Sequence, residues 1–175
     1  MLEDYNPYKY LRKAQTTKFR ELLFPILIIF ISFALSYVWE SNLLIILSLV
    51  GLLGYINISI RYRIRQTIPE ESGPNLILAP LNARISWIKA NKIMLVKKWY
   101  YTCEFRTPTA FEIKYKLNCS KKIWFEQKNN LPGKLVGIVP MKATCELEIP
   151  SDFKVMVRKG EKIIAGETVI ASQNY

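Results

Sequence analysis

The sequence predicts a membrane α-helical hairpin followed by a small all-β domain of sandwich or barrel type. Three features carry that prediction. Two uncharged apolar runs, Leu22–Trp39 and Leu43–Ile60, are separated only by Glu40–Asn42. A polar linker holding Pro69, Gly73 and Pro74 follows them. Beyond it, short β-branched and aromatic runs alternate with turn phrases such as "PSD" and "RKGE". The implied organisation is a basic cytosolic segment over 1–21, a two-helix hairpin over 22–60, a basic linker over 61–75 and a β-domain over 76–175.

Each apolar run is about 18 residues, ~27 Å as a helix, close to the thickness of a hydrocarbon core. So short a link forces the two helices antiparallel. Tyr37 and Trp39 fall at the turn, where aromatic side chains suit the headgroup level. Pro25 is placed near the start of the first span, where a proline costs little. Gly51 and Gly54 allow close helix approach and suit docking on another membrane protein. About twenty polar residues precede the first run and a second run follows at once, a pattern that argues against a cleaved signal peptide.

Charge sets the expected orientation. The chain carries 25 Lys and Arg against 14 Asp and Glu, a net +11. Lys9, Arg12, Lys13, Lys18 and Arg20 precede the first span, and Arg61, Arg63 and Arg65 follow the second. The turn between them has no cation. The positive-inside rule then puts both termini and the β-domain on the cytosolic side, facing the cytoplasm if the membrane is a bacterial inner one. Anionic phospholipid headgroups are the simplest partner for the flanking cations. No nucleic-acid motif is present, so nucleic acid is not expected as a partner.

The residue types bound the chemistry. There is no histidine, which removes the commonest general base and metal ligand. Cys103, Cys119 and Cys145 are widely spaced, form no CxxC pair and suit reduced thiols packed in an interior. Neither a metal site nor a cofactor is expected. Within the β-domain, "LILAPLNARISWI" and "NKIMLVKKWYYTCEF" read as strands. "AFEIKYKLN" alternates, with Phe111, Ile113, Tyr115 and Leu117 on one face and Glu112, Lys114 and Lys116 on the other. "KKIWFEQ", "KLVGIVP", "TCELEIP", "FKVMV" and "ETVIA" continue the series, and Gly160 and Gly166 read as turn glycines.

Several phrases, in order, resemble the phosphatidylserine decarboxylase family, in its short membrane-anchored form. They are the hairpin, "QTIP" (Gln66–Pro69), "APLNARI" (Ala79–Ile85), "FRTPTAFEIK" (Phe105–Lys114), "GIVPMKATCELEIP" (Gly137–Pro150) and "VMVRKGEKIIAGETVIA" ending at Ala171. The last is the most specific. The resemblance implies a barrel-sandwich-like β-domain at the membrane. It also implies a serine that cleaves its own chain and becomes a pyruvoyl group, helped by an Asp–His pair. In this sequence the serine position is Ala143 and the glycine before it is Lys142. The aspartate position is Asn82, followed by Ala83, and the histidine position is Glu112. Alanine has no hydroxyl to attack a backbone carbonyl, and Asn82 cannot carry the carboxylate charge. About thirty residues separate Glu112 from Ala143, fewer than the family usually has.

These departures predict a non-catalytic relative, an accessory or assembly subunit of a membrane protein complex or a lipid-surface scaffold. Two alternatives stay open. One is an active lipid enzyme of the same type with an altered mechanism, with Thr144 beside the lost position. The other is a membrane-anchored carrier domain modified on Lys142. Asn82 and Glu112 could keep a hydrogen-bonded pair, or Glu112 could simply face water.

Overall fold

The computed structural model describes residues 7–39, 41–65, 73, 75–125 and 131–173, with side chains from residue 12 onward. The "QTIP" phrase and Glu40 lie outside them. The chain divides into two units at Tyr62/Arg63.

The first unit is helical. Helix α1 spans Pro7–Ser36 and α2 spans Asn42–Arg61. Proline at the first position of α1 forfeits no intrahelical bond, since that N–H has no partner anyway. The basic segment is therefore helical from Pro7, not only from the apolar run at Leu22. This also moves Pro25 well inside α1, correcting its expected place near a helix start. There it removes one intrahelical hydrogen bond. Both helices are long and apolar enough to cross a membrane. Their outward faces carry Phe24, Phe30, Phe33 and Leu53, all more than 60% exposed. The seam between them buries Leu22, Ser32, Gly51 and Tyr62. A Cβ on Gly51 would stand 2.8 Å from Ile29 Cγ1 and 3.2 Å from the Pro25 carbonyl oxygen. One on Gly54 would stand 3.4 Å from Pro25 Cβ. Both glycines thus serve packing inside the hairpin, where the kink-prone Pro25 meets them. At the open end, the Tyr62 hydroxyl donates to Glu21 Oε1 at 2.9 Å.

The second unit is all antiparallel. Its strands are β1 (Leu76–Leu78), β2 (Ala83–Lys89), β3 (Lys92–Lys97), β4 (Glu104–Arg106), β5 (Tyr115–Cys119), β6 (Ile123–Trp124), β7 (Leu135–Ile138), β8 (Ala143–Glu148), β9 (Phe153–Val155), β10 (Lys162–Ile163) and β11 (Val169–Gln173). They form sheets ordered β1-β11-β9, β10-β2-β3-β8-β5 and β4-β7-β6. One core joins all three sheets: Ile77, Ile85, Leu95, Phe105, Leu147 and Ile170 are buried within it. Two expected strands are shorter than the sequence implied. "LILAPLNARISWI" divides at Ala79–Asn82, where the chain leaves one sheet and enters another. "AFEIKYKLN" becomes a strand only at Tyr115, although Phe111 and Ile113 still pack against the core while Glu112 and Lys114 are exposed.

Gly137 shows why the sheets can close over this core. It is paired with Phe105 on one side and Trp124 on the other. Those rings meet edge to face, with centroids 4.9 Å apart. A Cβ on Gly137 would stand 2.5 Å from Trp124 Cε3. Gly160 and Gly166 sit in turns with φ of 86° and 74°, the left-handed region that glycine tolerates.

Candidate functional site

Strands β2, β3 and β8 lie side by side, and Asn82, Lys142 and Ala143 gather at one end of them. Ala143 opens β8. It is buried, paired with Lys97 of β3 on one side and Cys119 of β5 on the other. Its methyl group offers no nucleophile. Lys142, just outside the strand, is exposed. Thr144 pairs with Val96 and Asn118, neither of which can accept its proton as a general base.

Asn82 is buried immediately before β2. Its Nδ2 donates to Thr102 Oγ1 and to Glu104 Oε1, each at 2.6 Å. Its Oδ1 accepts the Ala165 N–H at 3.1 Å. Thr102 also donates to Glu104 Oε1 at 2.9 Å, and the Arg65 N–H reaches Glu104 Oε2 at 3.4 Å. Glu104 is fully buried, so these donors replace the water it has lost. The turn holding Ala165 is fixed to the same place, because the Gly166 N–H donates to the Ala79 carbonyl. Asn82 is therefore partnered by Glu104, not by Glu112, and the Asn82–Glu112 pair left open by the sequence does not form.

Lys97 is the unexpected member of this end of the sheet. Its side chain is 1% exposed. Nζ donates to the carbonyls of Lys98 at 3.3 Å, Tyr101 at 3.1 Å and Met141 at 3.4 Å. Burial draws its pKa down from 10.5 to about 8, while Cys103 and Glu104 pull the other way. The sequence signal was available. Ile93, Leu95 and Lys97 share the inward face of one alternating strand. Arg106, two residues past Glu104, is likewise buried. It donates to the Gly133 and Arg65 carbonyls at 2.7 and 2.9 Å.

Glu112 stands apart from this cluster. It is exposed, at the mouth of a cavity of about 270 Å³ walled by Phe105, Phe111, Trp124, Phe125 and Val136. None of the three cysteines is in a disulfide: Cys103 and Cys145 are buried and Cys119 is half-buried. Burial, with Cys119 nearby, pushes the Cys145 thiol up to about 12, so it is an inert core thiol. Among the described residues, no three His, Cys, Asp or Glu side chains are gathered as a metal site would need.

The basic residues are divided between the units. Arg12, Lys13, Lys18 and Arg20 lie on the first turns of α1, and Arg61 closes α2. Arg63 and Arg65 belong to the β-unit. The Arg63 carbonyl accepts from the Cys103 N–H at 2.9 Å, and Arg65 pairs with Glu167 at 3.6 Å. The linker expected over 61–75 is thus partly built into folded structure.

A stretch of 40 residues is 40% identical to the "Putative archaetidylserine decarboxylase proenzyme" of Methanosarcina barkeri (strain Fusaro / DSM 804). The likeness to the phosphatidylserine decarboxylase type is weak and partial. It takes in 23% of this chain, and the chain spans only 20% of that relative's length. No family model matches the chain, and no solved structure matches it.

Proposed function

We propose that this chain is a non-catalytic relative of the phosphatidylserine decarboxylases. It is held in a membrane by α1 and α2, with both termini and the β-unit on the cytosolic side. Its work is binding, as an accessory or assembly subunit of a membrane protein complex or as a scaffold on an anionic lipid surface. The observation that carries the reading is Ala143. The residue at the self-processing position is a buried alanine, with a lysine ammonium and a half-buried thiol as its strand partners. No hydroxyl is there to attack the preceding carbonyl, and a pyruvoyl group cannot arise from alanine. Exposed apolar faces on both helices and the cations at their shared end support the membrane placement.

Intact-mass measurement of the purified chain tests this. A single species at the full 20.4 kDa is expected. Two fragments divided near Lys142–Thr144 would establish a working processing centre and overturn the reading. A mass increment on Lys142 of cofactor size would replace it with the carrier alternative.

A further inference from the structure

The turn Lys98–Tyr101, "KWYY", plays no part in the fold's core, yet it is firmly built. Trp99 and Tyr100 are 38% and 41% exposed. Trp99 meets Tyr100, and Tyr100 meets Tyr101, edge to face at 5.6 and 5.0 Å. The Tyr101 N–H closes the turn on the Lys98 carbonyl at 3.2 Å. From beneath, the buried Lys97 ammonium holds the carbonyls at both ends of the same turn. Its third bond, to the Met141 carbonyl, fixes the neighbouring turn that carries exposed Lys142.

Cations surround the aromatic group. Lys98 lies over the Tyr100 ring at 5.7 Å and Lys162 over Tyr101 at 5.6 Å. Lys162 is paired in register with exposed Arg84. The acid next to Lys162 in sequence, Glu161, has its carboxylate turned onto the Arg158 N–H at 2.8 Å. Rigid Trp and Tyr rings with an apolar body and a polar tip suit the headgroup layer, and lysines beside them suit its negative charge.

We propose that the Trp99–Tyr101 turn, with Lys98, Lys142 and Lys162, is an interfacial anchor that docks the β-unit onto an anionic bilayer. The buried Lys97 is its positioning residue, holding the turn in the presenting conformation. Single-stranded nucleic acid also stacks on aromatics among cations, but two membrane-length helices on the same chain favour the lipid surface. The inference rests on the membrane placement proposed above, and Trp39 in the hairpin turn reports on that placement separately.

The test uses the full chain in nanodiscs of zwitterionic or mixed anionic lipid carrying brominated acyl chains near the headgroup. Subtracting the Trp39→Phe and Trp99→Phe variants from the wild type gives the quenching due to each tryptophan. Quenching of Trp99 is expected in anionic discs. It should fall in zwitterionic discs, at high salt and in a Lys98→Glu/Lys162→Glu variant, whose two exposed substitutions leave the far-ultraviolet dichroism and the denaturant midpoint unchanged. Quenching of Trp39 with none of Trp99 would overturn the anchor and leave the membrane placement standing. Absence of both would overturn both. Quenching of Trp99 by added oligouridine and not by lipid would assign the turn to nucleic acid instead.

Discussion

Lys97 offers the sharpest physical test of the β-unit. Folding carries its amine from water, where it titrates near 10.5, to a site where it titrates at about 8. At about 1.4 kcal/mol per pH unit, that difference costs the folded state ~3 kcal/mol whenever both states are protonated. The sign follows from proton linkage. Between pH 8 and 10.5 the unfolded chain holds the proton and the folded chain releases it. Stability therefore rises with pH across this window, and the full penalty is present below pH 8. Cys145 acts in the opposite sense. Its thiol is raised from 9.0 to about 12, so the folded state keeps a proton that the unfolded state loses, and stability falls above pH 9. The two effects partly cancel in the wild type.

A Lys97→Met variant separates them. It removes the buried charge and takes one hydrogen bond from each of three carbonyls, at a cost of ~1 kcal/mol each. The net change at pH 7 is expected within ~2 kcal/mol of zero, because relief of desolvation offsets the lost bonds. The pH dependence is the decisive readout. Guanidinium unfolding of the full chain in mild detergent, followed by tryptophan fluorescence, gives the stability difference at each pH. Wild type should gain ~3 kcal/mol on the variant between pH 7.5 and 10.5. A flat difference would refute the claim that this amine is desolvated, and a falling one would mean the fold binds the proton more tightly than water does.

Other perturbations probe the rest of the molecule. Asn82→Asp removes the donors to Thr102 and Glu104 and sets two carboxylates face to face. A loss of ~3 kcal/mol at pH 7 is expected, recovering on acidification as one carboxyl takes a proton, and denaturant titration at pH 5 and 7 reads it. Gly137→Ala forces a methyl into the Trp124 ring and should cost ~1–3 kcal/mol by the same assay, with altered near-ultraviolet dichroism. Gly51→Leu wedges α1 from α2 at Ile29. Spin labels at Lys18 and Ile60 should report a longer, broader distance distribution than in the wild type, and an unchanged distribution would remove Gly51 from the seam.

Much of the fold was legible because its signals are local. Two long uncharged runs with three residues between them admit few structures other than an antiparallel helical pair. Strand positions followed from alternation, and Gly160 and Gly166 from turn chemistry. Strand ends were less legible, since Pro80 and Pro108 lie where the chain passes between sheets and only the sheet partners decide where pairing stops. The polar interior was missed for a related reason. Glu104 looks like a surface residue until Asn82 and the Arg65 N–H arrive from distant parts of the chain to join its neighbour Thr102. Lys97 was missed although its alternation pointed inward, because lysine is so rarely buried that charge outweighed periodicity.

That buried network bears on how the proposed loss of chemistry should be understood. If one serine alone had been lost, the surrounding groups would still be arranged to receive it. Here the partners fit the substituted residues. Asn82 donates one N–H bond to Thr102 and one to Glu104, neither of which an aspartate could make. The strand position beside Ala143 is taken by a lysine whose ammonium is fully engaged by backbone carbonyls, not by an imidazole that could receive a proton. Restoring one residue would meet neighbours built for another set. On this reasoning Ala143→Ser should remain a single uncleaved chain by mass. Lys97, the strand neighbour of Ala143, instead bonds the carbonyls of the aromatic turn.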